Sequence, residues 1–163
     1  QRFNVLEMIT GLITDRFSGL QGPKPKVQVA LPFADLYGEP VSIRQALVNL
    51  LDNAAKFSRR AAAPTITIGG TQTATERILW VQDNGIGFDQ AQQDKIFGLF
   101  ERLHGPQDYE GTGVGLAIVK LVMDKHNGRA WAESTPGTGS TFYLGFPDRH
   151  EAVRRQHSAS VLR

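Results

Sequence analysis

The sequence predicts one two-layer α/β sandwich, with about three helices on one face of a mixed, mostly antiparallel sheet. Three segments show the apolar spacing of amphipathic helices, and about five shorter runs are rich in β-branched residues. The two kinds of segment occur in mixed order, which favours helices packed on one sheet. A chain of 163 residues is long enough to bury one core without disulfides or metals.

Apolar periodicity, together with the helix- and strand-breaking residues between segments, predicts the following elements. They are a helix at 3–20, a strand at 27–31, a helix of about 18 residues from Pro40, strands at 65–68 and 78–82, a short helix at 89–97, a helix at 114–126, and strands at 129–134 and 140–146. The segment 98–113 is rich in glycine and polar residues and predicts a long loop. Residues 148–163 are polar and basic without periodicity, which predicts a frayed tail.

Composition narrows the classes of function. The chain has no cysteine, so its fold depends on no disulfide or thiolate metal site. A net charge of +2 is too small to indicate nucleic-acid binding. No apolar run approaches the roughly 18 residues that a membrane span requires. We expect a cytoplasmic domain, and the first residue, Gln1, suggests a piece of a longer protein.

The helix that begins at Pro40 has two opposed faces. Its apolar side chains fall on one arc and predict the core face: Ile43, Leu47, Leu50, Leu51, Ala54 and Phe57. The opposite face carries Gln45, Asn49, Asn53 and Lys56. Asparagine is disfavoured inside helices because its amide competes for backbone hydrogen bonds. This stripe is either a solvated face or a set of amide oxygens for a hard cation beside a phosphate-binding lysine.

The first of three glycine segments is Asp83-Asn84-Gly85-Ile86-Gly87, directly after a predicted strand. A buried carboxylate there can accept a hydrogen bond from an exocyclic amine, and the glycines let a flat ring approach the backbone. The alternative is a plain turn, since Asn-Gly is a hairpin signal.

The second segment, Gly111-Thr112-Gly113-Val114-Gly115-Leu116, runs directly into a helix. Backbone N–H groups at a helix N-terminus favour anions, so this segment predicts a phosphate cradle. It lacks the lysine and hydroxyl residue of the Walker loop, and Leu116 does not fit the dinucleotide fingerprint. The third segment, Gly137-Thr138-Gly139-Ser140-Thr141-Phe142, by itself predicts only a hairpin turn.

Together these segments resemble the ATP-binding domain of sensor histidine kinases, within the superfamily that includes gyrase, Hsp90 and MutL. The resemblance covers residues 40–147 and implies a Bergerat-type fold. The matched segments are similar to the family's asparagine box (49–57), first glycine box (83–87), phenylalanine box (97–102), second glycine box (111–116) and third glycine box (137–142). Five boxes in this order form a specific signal. Residues 102–104 and 109–113 are also similar to the phytochrome-like subgroup.

The resemblance implies roles for the matched residues. Adenine contacts are implied for Phe57, Asp83, Gly85, Ile86, Gly87 and Thr141, with Asp83 as the acceptor for the amino group. Phosphate and magnesium contacts are implied for Asn49, Asn53, Lys56 and Arg102, with Asn53 holding Mg²⁺. The hinge of a lid over the phosphates is implied for Gly111, Thr112, Gly113, Val114, Gly115 and Leu116. Phe97 and Phe100 would anchor that lid, and we expect residues 101–113 to be poorly ordered without nucleotide.

Phosphoryl transfer is expected rather than hydrolysis. The hydrolysing relatives carry a glutamate four residues before the magnesium asparagine, but this chain carries Asn49, which cannot act as a general base. The resemblance implies slow hydrolysis of ATP and transfer of its γ-phosphoryl group to a histidine. None of the four histidines lies in the family's acceptor motif, so we expect each to be an ordinary surface residue: His104, His126, His150 and His157.

The acceptor is therefore expected outside this chain. We divide the chain into 1–22 as the first helix and junction to a missing dimerisation domain, 23–147 as the ATP-binding domain, and 148–163 as a basic tail. Alternatively, the first helix is a packed element of the ATP-binding domain itself. Expected partners are ATP or ADP, the dimerisation and histidine phosphotransfer domain of the same protein, and indirectly a response regulator. We expect no nucleic acid, no membrane contact and a monomer in isolation.

The sequence leaves three other functions open. One is a non-catalytic module that signals through nucleotide occupancy. Another is an anti-sigma-type kinase, which shares this fold and phosphorylates serine on a partner. The last is nucleic-acid remodelling as in gyrase or MutL, which Asn49 and the missing transducer domain disfavour.

Overall fold

The computed structural model describes residues 1–19, 24–98 and 114–148. Its elements, in chain order, are β1 (Arg2–Asn4), α1 (Val5–Phe17), β2 (Lys26–Ala30), β3 (Asp35–Tyr37), α2 (Pro40–Ser58), β4 (Thr65–Gln72), β5 (Glu76–Asp83), a 3-10 turn (Gln90–Gln92), α3 (Gly115–Lys125), β6 (Arg129–Thr135) and β7 (Gly139–Pro147). Among these, no helix is long and apolar enough to cross a membrane.

Five strands form the main sheet in the order β2-β4-β5-β7-β6. The β2–β4 pair is parallel and the other three pairs are antiparallel. Strands β1 and β3 pair separately as a small antiparallel ribbon. The predicted two-layer sandwich with a mixed, mostly antiparallel sheet is confirmed.

One core lies between the main sheet and the helices. The sheet contributes alternate side chains such as Ile66, Leu79 and Leu144, all buried. Helix α1 buries four residues in the same core: Val5, Ile9, Leu12 and Phe17. The first helix is therefore packed on this domain rather than projecting from it.

Local signals in the sequence explain where the helices begin and end. The Asn4 side chain caps α1 by accepting from the Glu7 amide at 2.8 Å. Pro40 stands in the first turn of α2, where a missing N–H is tolerated. After α3, Asn127 adopts a φ of 56°, and the Gly128 amide donates to the Met123 carbonyl at 2.9 Å.

The structure corrects two predicted boundaries. Helix α1 begins at Val5 rather than residue 3, because Phe3 pairs with Leu36 in the β1–β3 ribbon. The helix predicted at 89–97 is only the turn Gln90–Gln92 followed by further tight turns. The predicted loop 98–113, apart from Gly98, and the predicted tail, apart from Asp148, lie outside the described residues.

Two glutamines explain why the segment after Gln90 is not a continuous helix. The Gln90 side-chain amide donates to the Ala132 carbonyl at 3.1 Å, and its oxygen accepts from the Ser134 amide at 2.8 Å. The Gln93 oxygen accepts from the Ala132 amide at 3.2 Å. These side chains form the hydrogen bonds that a neighbouring strand would form with the free edge of β6. Because both side chains must stay at that edge, turns are favoured over a continuous helix.

Candidate nucleotide site

The polar stripe of α2, defined as Gln45, Asn49, Asn53 and Lys56, lies opposite the core face of the helix. Gln45 is exposed and the other three are half-buried. Five of the six predicted core residues are buried: Ile43, Leu47, Leu50, Leu51 and Ala54. Phe57, in the last turn of the helix, is only half-buried, and its carbonyl accepts from the Ile86 amide at 3.2 Å.

Asn49 connects the polar stripe to the start of α3. Its side-chain nitrogen donates to the Gly115 carbonyl at 3.1 Å, while its oxygen accepts from the Gln45 side chain at 3.2 Å. A pair of hydrogen bonds therefore fixes the orientation of this amide. The first turn of α3 is held against the middle of α2 at Asn49, which lies one helical turn before Asn53.

Asp83 ends β5 with its side chain turned towards the helices, and only 4% of the residue is exposed. Its Oδ1 accepts from the Gly85 amide at 2.8 Å. Its Oδ2 is buried and makes no hydrogen bond with any residue that the structure describes. Buried polar atoms are nearly always paired, so this oxygen is a candidate acceptor for a ligand N–H.

Burial raises the pKa of Asp83 to about 6, because the charged form loses its contact with water. The amides of Gly85 and Ser140 lower the pKa by less than burial raises it. Only the Gly85 contact has hydrogen-bond geometry, so we regard the Ser140 amide as a weaker, electrostatic contribution. A perturbed carboxylate with one unpaired oxygen is typical of functional sites.

Glycines let three backbone segments meet around Asp83. A Cβ on Gly85 would lie 2.2 Å from the Phe57 carbonyl oxygen, and one on Gly139 would lie 2.1 Å from the Asp83 carbonyl oxygen. The Ile86 carbonyl accepts from the Gly137 amide at 2.7 Å. The first and third glycine segments, distant in sequence, are thus in direct contact, and the first lies against the end of α2.

The strand register places the Ser140 and Thr141 side chains on opposite faces of the sheet. Asp83 is directly opposite Ser140 across β5 and β7, and both residues are buried on the helix side of the sheet. Because side chains alternate along a strand, Thr141 faces the other side, as does Tyr143, which stacks on Trp131. The placement therefore favours Ser140 rather than Thr141 as the hydroxyl neighbour of Asp83.

Ser134 is a residue of this region that sequence reasoning missed. Its hydroxyl accepts from the Phe88 amide at 2.8 Å, donates to the Gly139 carbonyl at 2.9 Å and lies 2.9 Å from the Ser140 hydroxyl. The residue belongs to none of the glycine segments. The only sequence signal was its place in the last predicted hairpin, opposite Ser140.

The structure describes some of the remaining predicted site residues but not others. Phe97 packs edge-on against Phe142 with 6.3 Å between ring centroids, which fixes the segment that precedes the predicted lid. Val114, Gly115 and Leu116 lie at the start of α3. The other predicted lid and phosphate residues lie outside the described residues: Phe100, Arg102, Gly111, Thr112 and Gly113.

His126 is not the ordinary surface residue that we expected. It is half-buried; its Nδ1 lies 2.7 Å from the Val122 carbonyl, and its Nε2 accepts from the Glu39 amide at 2.9 Å. The imidazole therefore carries its proton on Nδ1 and joins the end of α3 to the start of α2. His104, His150 and His157 lie outside the described residues.

Residues 38–150 match the family model of histidine kinase-, DNA gyrase B- and HSP90-like ATPases. This match covers more than half of the chain, and the chain belongs to that family.

Curated relatives include cyanobacterial phytochrome A of Nostoc sp., which is 43% identical over 71% of this chain and 15% of its own length. The methanogenesis regulatory histidine kinase FilI of Methanothrix harundinacea is 38% identical over 75% of this chain and 14% of its own length. The chain thus spans about one seventh of these relatives.

Among solved structures, a mycobacterial sensor histidine kinase, MprB, is similar with a TM-score of 0.75, 24% identity, and coverage of 91% of this chain and 97% of that one. This likeness shows that the chain has the fold of a histidine kinase ATPase domain.

Proposed function

We propose that this chain binds Mg²⁺-ATP and acts as the catalytic domain of a sensor histidine kinase. In this reaction the bond between the γ-phosphorus and the β–γ bridging oxygen breaks. A bond from that phosphorus to an imidazole nitrogen of a separate dimerisation domain forms, and ADP leaves with the electron pair. Family membership and relatives such as FilI support the class of reaction.

The observation that carries the proposal is the unpaired, buried Oδ2 of Asp83. An exocyclic amino group would supply the missing donor, as adenine does. Guanine carries a carbonyl at the corresponding ring position, and a carbonyl oxygen would face the carboxylate as a second acceptor. The site should therefore select adenine nucleotides.

The polar stripe of α2 fits the triphosphate. Asn53 and Lys56 are half-buried on this face, one turn and two turns from the fixed amide of Asn49. Within the described part of the chain, no group of three His, Cys, Asp or Glu side chains could hold a metal by itself. A magnesium ion here would take an amide oxygen from Asn53 and phosphate oxygens from the nucleotide, which suits its preference for oxygen ligands. The ion would supply charge neutralisation at the phosphates.

Slow hydrolysis follows from the side chain at position 49. An amide cannot take a proton from water, and the Asn49 amide is already engaged by Gln45 and Gly115. The nucleotide should therefore persist until an acceptor imidazole is presented. This distinguishes the proposed kinase from the hydrolysing branch of the family.

The first test is a calorimetric titration of the chain with ATP, ADP and GTP, with and without Mg²⁺. We expect binding of ATP and ADP, little binding of GTP, and a loss of at least about tenfold in ATP affinity for Asp83→Asn, because a charged acceptor is lost. Asp124→Asn makes the same chemical change on the exposed face of α3 and should leave affinity unchanged. Equal affinity of Asp83→Asn and the unaltered chain would contradict this assignment of Asp83.

The second test separates a kinase from a nucleotide-binding module. The chain is incubated with labelled ATP and a purified dimerisation domain, and label on histidine is measured. We expect acid-labile transfer that depends on the acceptor histidine. Tight ATP binding without transfer to any supplied acceptor domain would favour the non-catalytic module, and transfer to serine would favour an anti-sigma-type kinase.

A further inference from the structure

The Ser134 hydroxyl lies at the junction of three backbone segments beside Asp83. It contacts the Phe88 amide after the first glycine segment, the Gly139 carbonyl in the β6–β7 turn, and the Ser140 hydroxyl on β7. A hydroxyl has one proton to donate and two lone pairs to accept with. All of its capacity is therefore used by these contacts.

The direction of each hydrogen bond follows from the chemistry of the partners. An amide N–H can only donate, so Phe88 occupies one lone pair of Ser134. A carbonyl can only accept, so Gly139 takes the Ser134 proton. The three contacts coexist only if Ser140 donates its own proton to the second lone pair of Ser134.

The consequence concerns the hydroxyl oxygen of Ser140. Its proton is turned towards Ser134, so only lone pairs remain for any other partner. Ser140 is opposite Asp83 on the same face of the sheet, with each residue 4% exposed. Side chains so placed have Cβ atoms about 5 Å apart, close enough to share one ligand group.

We propose that Ser134 determines the base specificity of this site by fixing the Ser140 hydroxyl as an acceptor beside Asp83. The inference rests on the proposed function and deepens it. Among the described residues, the site then presents two acceptors, the Asp83 carboxylate and the Ser140 oxygen, with the Ser140 proton directed away from the ligand. An exocyclic amino group has two N–H donors and matches both, whereas a ring carbonyl matches neither. Ser134 is a positioning residue in this scheme, because it acts through Ser140.

The behaviour of Ser140 without its partner gives the test. In Ser134→Ala the Ser140 proton loses its acceptor, and the unpaired Oδ2 of Asp83 becomes the strongest acceptor in reach. Ser140 then donates to Asp83 and competes with the amino group of the ligand. Affinity for a base with an amino group should fall, whereas affinity for the same base without it should not.

The experiment measures the affinity of the chain for ATP and for purine riboside triphosphate, which lacks only the amino group. For Ser134→Ala we expect ATP affinity to fall about tenfold and affinity for the analogue to change less than about twofold. Ser134→Thr keeps the hydroxyl and should restore the preference for ATP. Thr67→Val removes a strand hydroxyl on the opposite face of the sheet and serves as the matched control.

Different outcomes separate this inference from the proposed function. An equal loss for both nucleotides, or an unchanged ratio, would mean that Ser134 only supports the backbone, and the inference would fail. If Ser134→Ala does not fold, Ser140→Ala provides the same comparison, and an unchanged ratio in that variant has the same meaning. If the unaltered chain binds neither nucleotide, the proposed function fails and this inference fails with it.

Discussion

Asp83 and Asn53 are both polar residues of the candidate site, but the structure holds them in different ways. The Asp83 end, defined as Asp83, Gly85, Ser134, Gly139 and Ser140, is set by the register of the sheet and by close backbone contacts. The polar stripe of α2 is set by helical periodicity and lies half in solvent. A change at the Asp83 end should alter both folding and binding, whereas a change on the stripe should alter binding alone.

The largest effect is expected for Gly85→Ala. Its Cβ would lie 2.2 Å from a backbone oxygen of Phe57, so either the first glycine segment or the end of α2 must move. We expect a loss of about 3 kcal/mol in the free energy of unfolding and the loss of ATP binding. Gly11→Ala is the matched control: no atom lies within 4 Å of its Cβ, and it should stabilise α1 by about 0.5–1 kcal/mol. Denaturant titration of both variants tests this. Near-native stability of Gly85→Ala would show that the backbone at Gly85 or Phe57 can shift at little cost in free energy.

The next effect is a pH dependence that belongs to Asp83. Its pKa is about 6 in the folded chain against an ordinary value of 3.8, so the folded state binds the proton more tightly than the unfolded state. Stability from this group is therefore present at about pH 4 and is lost as the pH rises through 6, by about 3 kcal/mol in total.

Urea titrations at several pH values, with Asp83→Asn as the reference, would measure this term. Relative to that variant, the unaltered chain should lose stability between about pH 4 and pH 7. Parallel pH profiles for the two proteins would show that the carboxylate ionises without cost. In that case the Asp83 carboxylate is better hydrated than its burial in the structure indicates.

A smaller effect, confined to binding, is expected on the polar stripe. Asn53→Ala should remove most of the gain in ATP affinity that Mg²⁺ produces, a loss of about tenfold, with little change in stability, because the side chain is only half-buried. Titrations with and without the metal give this difference directly. Lys120→Ala, on the exposed face of α3, is the control. If Mg²⁺ still raises the ATP affinity of Asn53→Ala in full, the metal is held by a ligand other than Asn53.

The smallest effect is expected at Asp52, whose carboxylate is paired with α1. Its carboxylate pairs with Arg16 of α1 at 2.9 Å, with 55% of the Asp52 side chain exposed. Asp52→Ala should cost less than about 1 kcal/mol of stability and leave ATP affinity unchanged. A clear loss of affinity would mean that α1 influences the site through this ion pair.

Much of this site could be predicted from the chain alone. The stripe of α2 follows from a period of about 3.6 residues, so its members were placed correctly without any tertiary information. The ends of β5 and β7 followed from apolar runs bounded by glycines. Asp83 could be singled out because a carboxylate after an apolar run, beside glycines, can accept a hydrogen bond from an exocyclic amine.

Other features needed the fold because they depend on residues far apart in sequence. The short β1 strand, the turns after Gln90 and the place of His126 all arise from contacts with distant segments. Periodicity carries no information on such contacts, and tertiary context overrides the local preference for helix at 89–97.

The sequence by itself determined the fold class, the family resemblance and the polar stripe, because these depend on periodicity within elements and on the order of segments along the chain. Only the tertiary structure decided that Ser140 rather than Thr141 faces Asp83, and that Ser134 links the two glycine segments. Strand register decides this, since a shift of one residue turns every side chain to the other face of the sheet. The direction of the Ser140 proton follows in turn from three contacts that meet only in the folded chain.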